Sequence, residues 1–154
     1  MTGSFHDFRS STVVKKMPSP PEDLPDAAEH VHTTEVSLRW GDLDAAGHVN
    51  NSRFFTYFEE ARVDWLAATL DGPLFTESGP VIAHATCDYK QPLTYPATLV
   101  IDVYATPPGN SSLKNVYDAS LKQSDERVAT GTAVLVWVSV DTGETVPVPD
   151  LGLR

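Results

Sequence analysis

Hydrophobic and polar residues alternate in the first regular stretch of the chain, which begins at Thr33. Val36, Leu38 and Trp40 are apolar, whereas the residues between them are polar or charged. A period of two residues is typical of a strand with one buried face. We therefore predict a strand here that ends at Gly41.

A helical pattern follows over residues 51–69, where apolar side chains recur every three or four positions. That spacing gives a helix one broad apolar face, which must pack against a large surface. The side-chain oxygens of Asn50, Asn51 and Ser52 are suited to cap the first turn, and residues 71–73 end the helix. The predicted apolar face consists of Phe54, Phe55, Phe58, Ala61, Trp65 and Leu66.

The rest of the chain has the pattern of β-strands. Proline, glycine and asparagine predict a turn at residues 107–110, and polar residues predict another at 124–126. The last segment is apolar on both faces, which is typical of a strand inside a sheet. The predicted strands are 81–89, 98–104, 112–122 and 127–140.

One strand, one long helix and four more strands favour an α+β domain. In this arrangement a strongly curved antiparallel sheet wraps around the helix and buries its aromatic face. The edges and the far face of such a sheet remain open. We therefore expect self-association, as a homodimer or a homotetramer.

Composition and charge narrow the class of protein. The chain has 154 residues, of which 41% are hydrophobic and 21% charged, and this suits one domain. The net charge of −10 argues against nucleic acid or an anionic membrane as partner. With one cysteine, no signal peptide and no spanning segment, we expect a cytoplasmic protein. Residues 1–32, rich in proline, are predicted to form an extended, flexible arm before a domain at 33–154.

Candidate chemistry lies in residues 39–62, RWGDLDAAGHVNNSRFFTYFEEAR. Asp42 and Asp44 precede the helix closely, so a carboxylate is expected beside the helix N-terminus. The free N–H groups there are suited to hold a polarised carbonyl, while the carboxylate supplies a base or a nucleophile. This arrangement indicates acyl transfer or hydrolysis, although two aspartates before a helix also commonly form turns and caps.

Two segments carry a resemblance to a known family. They are GDLDAAGHVNN at 41–51 and DYKQPL at 88–93. With the order of elements, they resemble the hotdog-fold acyl-CoA thioesterases of the 4-hydroxybenzoyl-CoA thioesterase-like group, over about residues 33–140. The resemblance implies a long central helix wrapped by a curved five-stranded antiparallel sheet, and hydrolysis of an acyl-CoA thioester to free acid and coenzyme A.

The resemblance also implies roles for single residues. Asp44 matches the catalytic carboxylate, which attacks the thioester carbonyl or activates water, and Asp42 is expected to be structural. Backbone N–H groups from His48 to Asn51 would polarise the carbonyl oxygen. No metal is expected, and no cofactor beyond the coenzyme A of the substrate. The expected substrate-binding residues are Gly47, His48, Val49, Asn50, Asn51 and Phe58.

Several alternatives stay open at the level of sequence. Glu59 on the helix is a second candidate acid, because another branch of hotdog thioesterases uses a helical acid. His48 could act as a base or a metal ligand, and Cys87 is expected to have a buried apolar role. A non-catalytic acyl-thioester binder and an enoyl-thioester hydratase are the alternative functions. Candidates for holding the coenzyme A phosphates are Arg53, Arg62, Lys90 and Lys114.

Overall fold

The computed structural model describes residues 19–154, which form one antiparallel sheet around one long helix. Each strand pairs antiparallel with its neighbours, in the order β1-β3-β4-β5-β2. The predicted α+β architecture is therefore confirmed, and β5 lies inside the sheet as expected. The elements are β1 (Glu29–Ser37), a 3₁₀ turn (Trp40–Asp42), α1 (Arg53–Thr69), β2 (Ser78–Tyr89), β3 (Thr98–Ala105), β4 (Ser112–Leu121) and β5 (Arg127–Ser139).

The buried face of α1 differs from the predicted face at two positions. Phe55 is 39% exposed, so its predicted burial is wrong, whereas Tyr57 is buried. Successive residues of a helix are separated by about 100°, and Phe55 lies that far from the buried Phe54. The buried residues of α1 are Phe54, Tyr57, Phe58, Ala61, Trp65 and Leu66.

α1 packs on β5 through Phe58 and Gly131. Phe58 is 2% exposed and stacks on Tyr117, with ring centroids 4.8 Å apart and planes 10° apart. A Cβ atom at Gly131 would lie 2.4 Å from the Phe58 ring. Glycine at this position therefore lets β5 approach the ring directly.

The region around β1 departs from the predicted strand at both ends. Val36 and Leu38 are buried as predicted, but Trp40 is 77% exposed. The alternation fails there because the chain has already left β1 at Ser37 and entered the 3₁₀ turn. At its other end β1 begins at Glu29, four residues before the predicted domain.

Part of the predicted arm packs on the sheet. Pro21 is buried, and Arg127 donates from Nη2 to the Ser19 carbonyl at 2.6 Å. Thr130 and Thr132 line a cavity with Pro21, on the opposite side of β5 from the Gly131 contact with α1. Residues 19–23 thus lie on the outer face of the sheet, and residues 1–18 of the arm lie outside the described residues.

β2 forms one edge of the sheet and pairs only with β5 among the described residues. Val81 is 42% and Ile82 is 44% exposed on this strand, and both faces of β2 are open from residue 81 to residue 86. Phe75, just before β2, is 54% exposed. Across residues 19–154, no helix has both the length and the apolar composition needed to cross a membrane.

Candidate active site

A tight loop between the 3₁₀ turn and α1 holds the acidic residues. Its two arms are joined by main-chain hydrogen bonds, from Asn50 N to the Asp42 carbonyl at 2.9 Å and from Asp44 N to the His48 carbonyl at 2.7 Å. Leu43 and Val49 form a β-bridge between them. Gly47 turns the chain at φ 78°, a value that favours glycine. The loop is therefore a closed unit with Asp44 near its tip.

Asp42 lies at the base of this loop and is 5% exposed. Its Oδ2 accepts hydrogen bonds from Arg39 N at 3.0 Å and from the Tyr57 hydroxyl at 2.7 Å. Arg53 Nε lies 3.8 Å from Oδ1. These contacts fit the structural role expected of Asp42, and its N–H donor, Arg39, precedes the loop.

Asp44 is exposed and has a different set of partners. Its Oδ1 accepts hydrogen bonds from Ala46 N at 2.9 Å and His48 N at 3.3 Å. Its Oδ2 accepts none from the part of the chain that the structure describes. One oxygen therefore fixes the carboxylate to the loop, while the other is free to bind a ligand or water.

A cavity of about 290 Å³ opens beside Asp44. Its other walls are Phe54 from the start of α1 and residues 89–93, at the end of β2 and just after it. Phe54 and Tyr89 meet edge to face at 5.3 Å, and the Tyr89 hydroxyl donates to the Asn51 carbonyl at 2.8 Å. The two sequence segments that carry the family resemblance thus line one cavity.

The expected substrate-binding residues divide into two groups. His48, Val49 and Asn51 line the cavity with Asp44. Gly47 and Asn50 shape the loop but do not line the cavity. The Asn50 side chain accepts a hydrogen bond from Ser52 N at 3.0 Å. Phe58 lies in the core against Tyr117 and does not line this cavity, because its position on α1 turns it toward the sheet.

The backbone donors expected to polarise a carbonyl are mostly occupied within the loop. Val49 N donates to the Leu93 carbonyl at 2.8 Å, and the N–H groups of His48 and Asn50 are bonded as described above. Among residues 48–51, only Asn51 has an N–H without an acceptor in the described part of the chain. Asn51 lies two residues before α1 and is one of the residues that line the cavity.

A family model described as the thioesterase-like superfamily matches residues 38–151, most of the chain. The chain belongs to the thioesterase-like superfamily. It is a thioester hydrolase by class, and the resemblance inferred from the loop motif is confirmed. The matched region includes the Asp44 loop, α1 and β2 through β5.

One relative from Bacillus subtilis and several solved structures are similar to this thioesterase. The uncharacterized protein YsmA of Bacillus subtilis (strain 168) is 32% identical over 112 residues, covering 73% of this chain and 76% of that protein. The PA2801 protein of Pseudomonas aeruginosa, a proposed thioesterase, is 36% identical, with a TM-score of 0.73 and coverage of 79% of this chain and 95% of that one. A proposed acyl-CoA thioesterase from Xanthomonas campestris is 29% identical, with a TM-score of 0.70 and coverage of 78% and 100%. The thioesterase has the hotdog fold of these structures.

The four basic residues considered for phosphate binding have different surroundings in the thioesterase. Arg53 lies beside Asp42, and Arg62 donates from Nη1 to the Tyr117 hydroxyl at 3.0 Å. Lys114 is exposed on β4 and does not line the Asp44 cavity. Lys90 is the member of this set that lines the cavity, and it forms no ion pair with the described residues.

The alternative acid and the thiol of the thioesterase lie apart from Asp44. Glu59 lines a different cavity of about 200 Å³ between α1 and β2, together with Arg62. Burial raises the pKa of the half-buried Cys87 to about 11, so the thiol stays protonated near neutral pH. Within residues 19–154, no group of three or more His, Cys, Asp or Glu side chains is arranged to hold a metal ion.

Proposed function

We propose that this thioesterase hydrolyses an acyl-CoA to the free acid and coenzyme A, with Asp44 as the catalytic carboxylate. The observation that carries the proposal is the environment of Asp44. Its Oδ1 is anchored to the loop by two N–H groups, and its Oδ2 is unbonded at a cavity formed by both motif segments. The similarity to a proposed acyl-CoA thioesterase supports the choice of substrate class.

Asp44 can act in either of two ways in this proposal. As a nucleophile, Oδ2 attacks the thioester carbon, the C–S bond breaks, and coenzyme A leaves as the thiolate, which solvent protonates; water then hydrolyses the acyl anhydride to the free acid and the Asp44 carboxylate. As a general base, Oδ2 takes a proton from water while that water attacks the same carbon, the C–S bond breaks, and the proton passes to the departing thiolate. Single turnover in ¹⁸O-labelled water with enzyme in excess distinguishes the two, because only the anhydride route can place the label in Asp44.

The proposed donor to the thioester carbonyl is Asn51. Its backbone N–H has no acceptor among the described residues, it lines the cavity, and it lies at the positive end of the α1 dipole. Donors aimed at the developing oxyanion commonly lower an acyl-transfer barrier by about 3 kcal/mol. The Asp44 carboxylate, water and this donor complete the proposed reaction without a metal or a further cofactor.

The coenzyme A moiety is proposed to bind with a phosphate at Lys90. Lys90 lines both the Asp44 cavity and the cavity under residues 21–23, so it borders the path from the reacting carbonyl toward the outer face of the sheet. An unpaired ammonium group is needed there, because the protein is acidic overall and would otherwise repel a polyanion.

Self-association is proposed to occur through β2, as a homodimer. This strand has an unpaired edge among the described residues and exposes Val81 and Ile82, and Phe75 extends the apolar surface. Exposed apolar edges of this kind invite pairing with another strand. A second copy would extend the sheet across the contact.

Asp44→Asn tests the catalytic assignment, because asparagine keeps the shape of the side chain and removes the carboxylate. We expect wild type to release thiol from at least one class in a panel of short, medium, long and aromatic acyl-CoAs. The variant should lose roughly a hundredfold or more in kcat/KM, the scale of a lost base or nucleophile.

Glu59→Gln is the matched control for this experiment, since it removes a carboxylate from the other cavity. Its kcat/KM should stay within about threefold of wild type, because Glu59 lies away from Asp44. If Glu59→Gln abolishes turnover and Asp44→Asn does not, the catalytic acid is on the helix. No thiol release by wild type on any substrate would refute hydrolysis of acyl-CoA.

A further inference from the structure

One buried side chain of α1, Tyr57, is hydrogen-bonded to Asp42 at the base of the catalytic loop. The Tyr57 hydroxyl donates to Asp42 Oδ2 at 2.7 Å, and both residues are at most 5% exposed. Tyr57 lies four residues after Arg53, the first residue of α1. Burial, followed by the contact with Asp42, raises the pKa of Tyr57, so its hydroxyl remains a donor at the pH of any ordinary assay.

The main chain of Asp42 connects the Tyr57 hydrogen bond to the rest of the loop. The Asp42 carbonyl accepts the bond from Asn50 N that closes the loop, and the next pairs along the two arms are Leu43 with Val49 and Asp44 with His48. A shift of Asp42 therefore moves the whole ladder on which Asp44 is mounted. The carboxylate itself stays bonded to Ala46 N and His48 N, so it moves with the loop.

The other contacts of the Asp42 carboxylate hold it to the helix less firmly than the tyrosine does. Arg39 N belongs to the chain just before the 3₁₀ turn, so it orients the side chain but does not reach α1. Arg53 is on α1, but its Nε is 3.8 Å from Oδ1 and its side chain is 47% exposed. Long-range, solvent-screened contacts of this kind constrain position weakly.

We propose that Tyr57 is a positioning residue, whose bond to Asp42 fixes the loop so that Asp44 is held against the substrate carbonyl. The inference rests on the proposed role of Asp44. A misplacement of about 1 Å in a reacting group can cost on the order of a hundredfold in rate. Loss of the Tyr57 hydroxyl should therefore slow the chemical step more than it weakens substrate binding.

Tyr57→Phe is tested against Tyr117→Phe. Tyr117 is 0% exposed, and its hydroxyl contacts Arg62 and Asn115 rather than the loop. Both changes remove one buried hydroxyl, so both should lower the melting temperature to a similar extent. Tyr57→Phe should lower kcat by about tenfold or more with KM within about twofold, and Tyr117→Phe should leave kcat within about twofold of wild type. Equal loss of kcat in the two variants overturns the proposal.

Amide hydrogen exchange supplies a measurement that does not depend on turnover. The N–H groups of Ala46, His48 and Asn50 are all bonded within the loop, and their exchange should become faster in Tyr57→Phe by about tenfold. Tyr117→Phe should leave them unchanged. If wild type hydrolyses no acyl-CoA, the proposed function fails, and this exchange comparison alone decides whether Tyr57 positions the loop.

A second kinetic comparison uses the Asp44→Asn background. If Tyr57 acts through Asp44, adding Tyr57→Phe to Asp44→Asn should change kcat by less than about twofold, because the group being positioned is already gone. An additional drop as large as the one in wild type would show that Tyr57 affects the reaction by another route and would overturn the proposal.

Discussion

Asp42 and Asp44 have different surroundings, although they are only two residues apart. Asp42 is buried and bonded to Arg39 N and the Tyr57 hydroxyl, whereas Asp44 is exposed and keeps one oxygen unbonded among the described residues. A carboxylate with donors around it maintains structure, and one with a free oxygen can react. The two environments thus support the proposal that Asp42 is structural and Asp44 catalytic.

Lys90→Ala tests the residue proposed to hold a phosphate of coenzyme A. KM for an acyl-CoA should rise by about tenfold, which corresponds to the roughly 1.5 kcal/mol of one hydrogen bond to a charged group. Steady-state kinetics with an acyl-pantetheine that lacks the nucleotide provides the internal comparison.

The acyl-pantetheine should show the same KM with wild type and Lys90→Ala, because it carries no phosphate for Lys90 to bind. Lys114→Ala is the matched control, because Lys114 is exposed on β4 outside the cavity. A rise in KM for both substrates would mean that Lys90 shapes the cavity rather than binding phosphate.

The site could be predicted from sequence where its residues are contiguous. Asp44, His48, Val49 and Asn51 lie in one loop, and a tight loop keeps sequence neighbours together in space. Tyr89 lies far along the chain from Phe54 and Asn51. It contacts them only because β2 packs beside α1 in the fold, and no local sequence pattern predicts that packing. Phe58 lies outside this cavity, because residue spacing predicts the apolar face of the helix but not the surface that this face contacts.

At the scale of elements, α1 and β1 are joined by a polar contact at the surface. Asp64 of α1 accepts hydrogen bonds through Oδ2 from the Thr34 hydroxyl at 2.5 Å and from His32 Nε2 at 2.8 Å. These two bonds, with Thr34 the larger cause, lower the pKa of Asp64. The side chain is 58% exposed, so the effect on stability is screened by solvent.

Asp64→Asn should reduce stability in a pH-dependent way. The pKa of Asp64 in the folded protein is below its value of about 3.9 in the unfolded chain. The stability that the ionised Asp64 adds is therefore fully present above about pH 3.9 and is lost as the pH falls through the folded pKa. The difference in free energy of unfolding between wild type and variant should therefore shrink between about pH 5 and pH 2.

Urea unfolding at a series of pH values measures this difference directly. Asp71→Asn is the control, since Asp71 is exposed after the end of α1 and has no hydrogen-bond partner among residues 19–154. Asp71→Asn should change the free energy of unfolding by the same amount at each pH. If the difference in free energy of unfolding between wild type and Asp64→Asn is unchanged at the lowest pH, the hydrogen bonds of Asp64 do not depend on its charge.

The elements themselves were predictable where side chains report burial. β3, β4 and β5 have long apolar patterns and lie within one or two residues of their predicted bounds. The start of β1 was missed because Glu29 and His30 join the sheet through main-chain pairing with β3, which polar side chains do not reveal. Trp40 was misassigned because an alternating pattern cannot show where a strand gives way to a turn.

At the scale of the whole molecule, the open edge at β2 is the proposed contact between copies. Ile82→Glu should convert the proposed homodimer to a monomer, because it places a charge among exposed apolar side chains at that edge. Size-exclusion chromatography with light scattering measures the mass in solution.

Ala27→Glu is the control for this change, since it adds the same charge to an exposed residue two positions before β1, at the other edge of the sheet. It should leave the mass unchanged. A dimer that persists with Ile82→Glu at micromolar concentration would place the contact between copies elsewhere.

The contact between Phe58 and Gly131 restricts the order in which this sequence can change. An alanine at 131 would place its Cβ 2.4 Å from the ring, and such overpacking commonly costs about 1–3 kcal/mol. A smaller residue at 58 removes the ring contact and leaves Tyr117 without its stacking partner, but the same Cβ would still lie 2.9 Å from the Thr86 carbonyl oxygen of β2. A change at position 58 therefore does not by itself make room at position 131, so selection for a folded chain keeps this glycine whichever of the two positions mutates first.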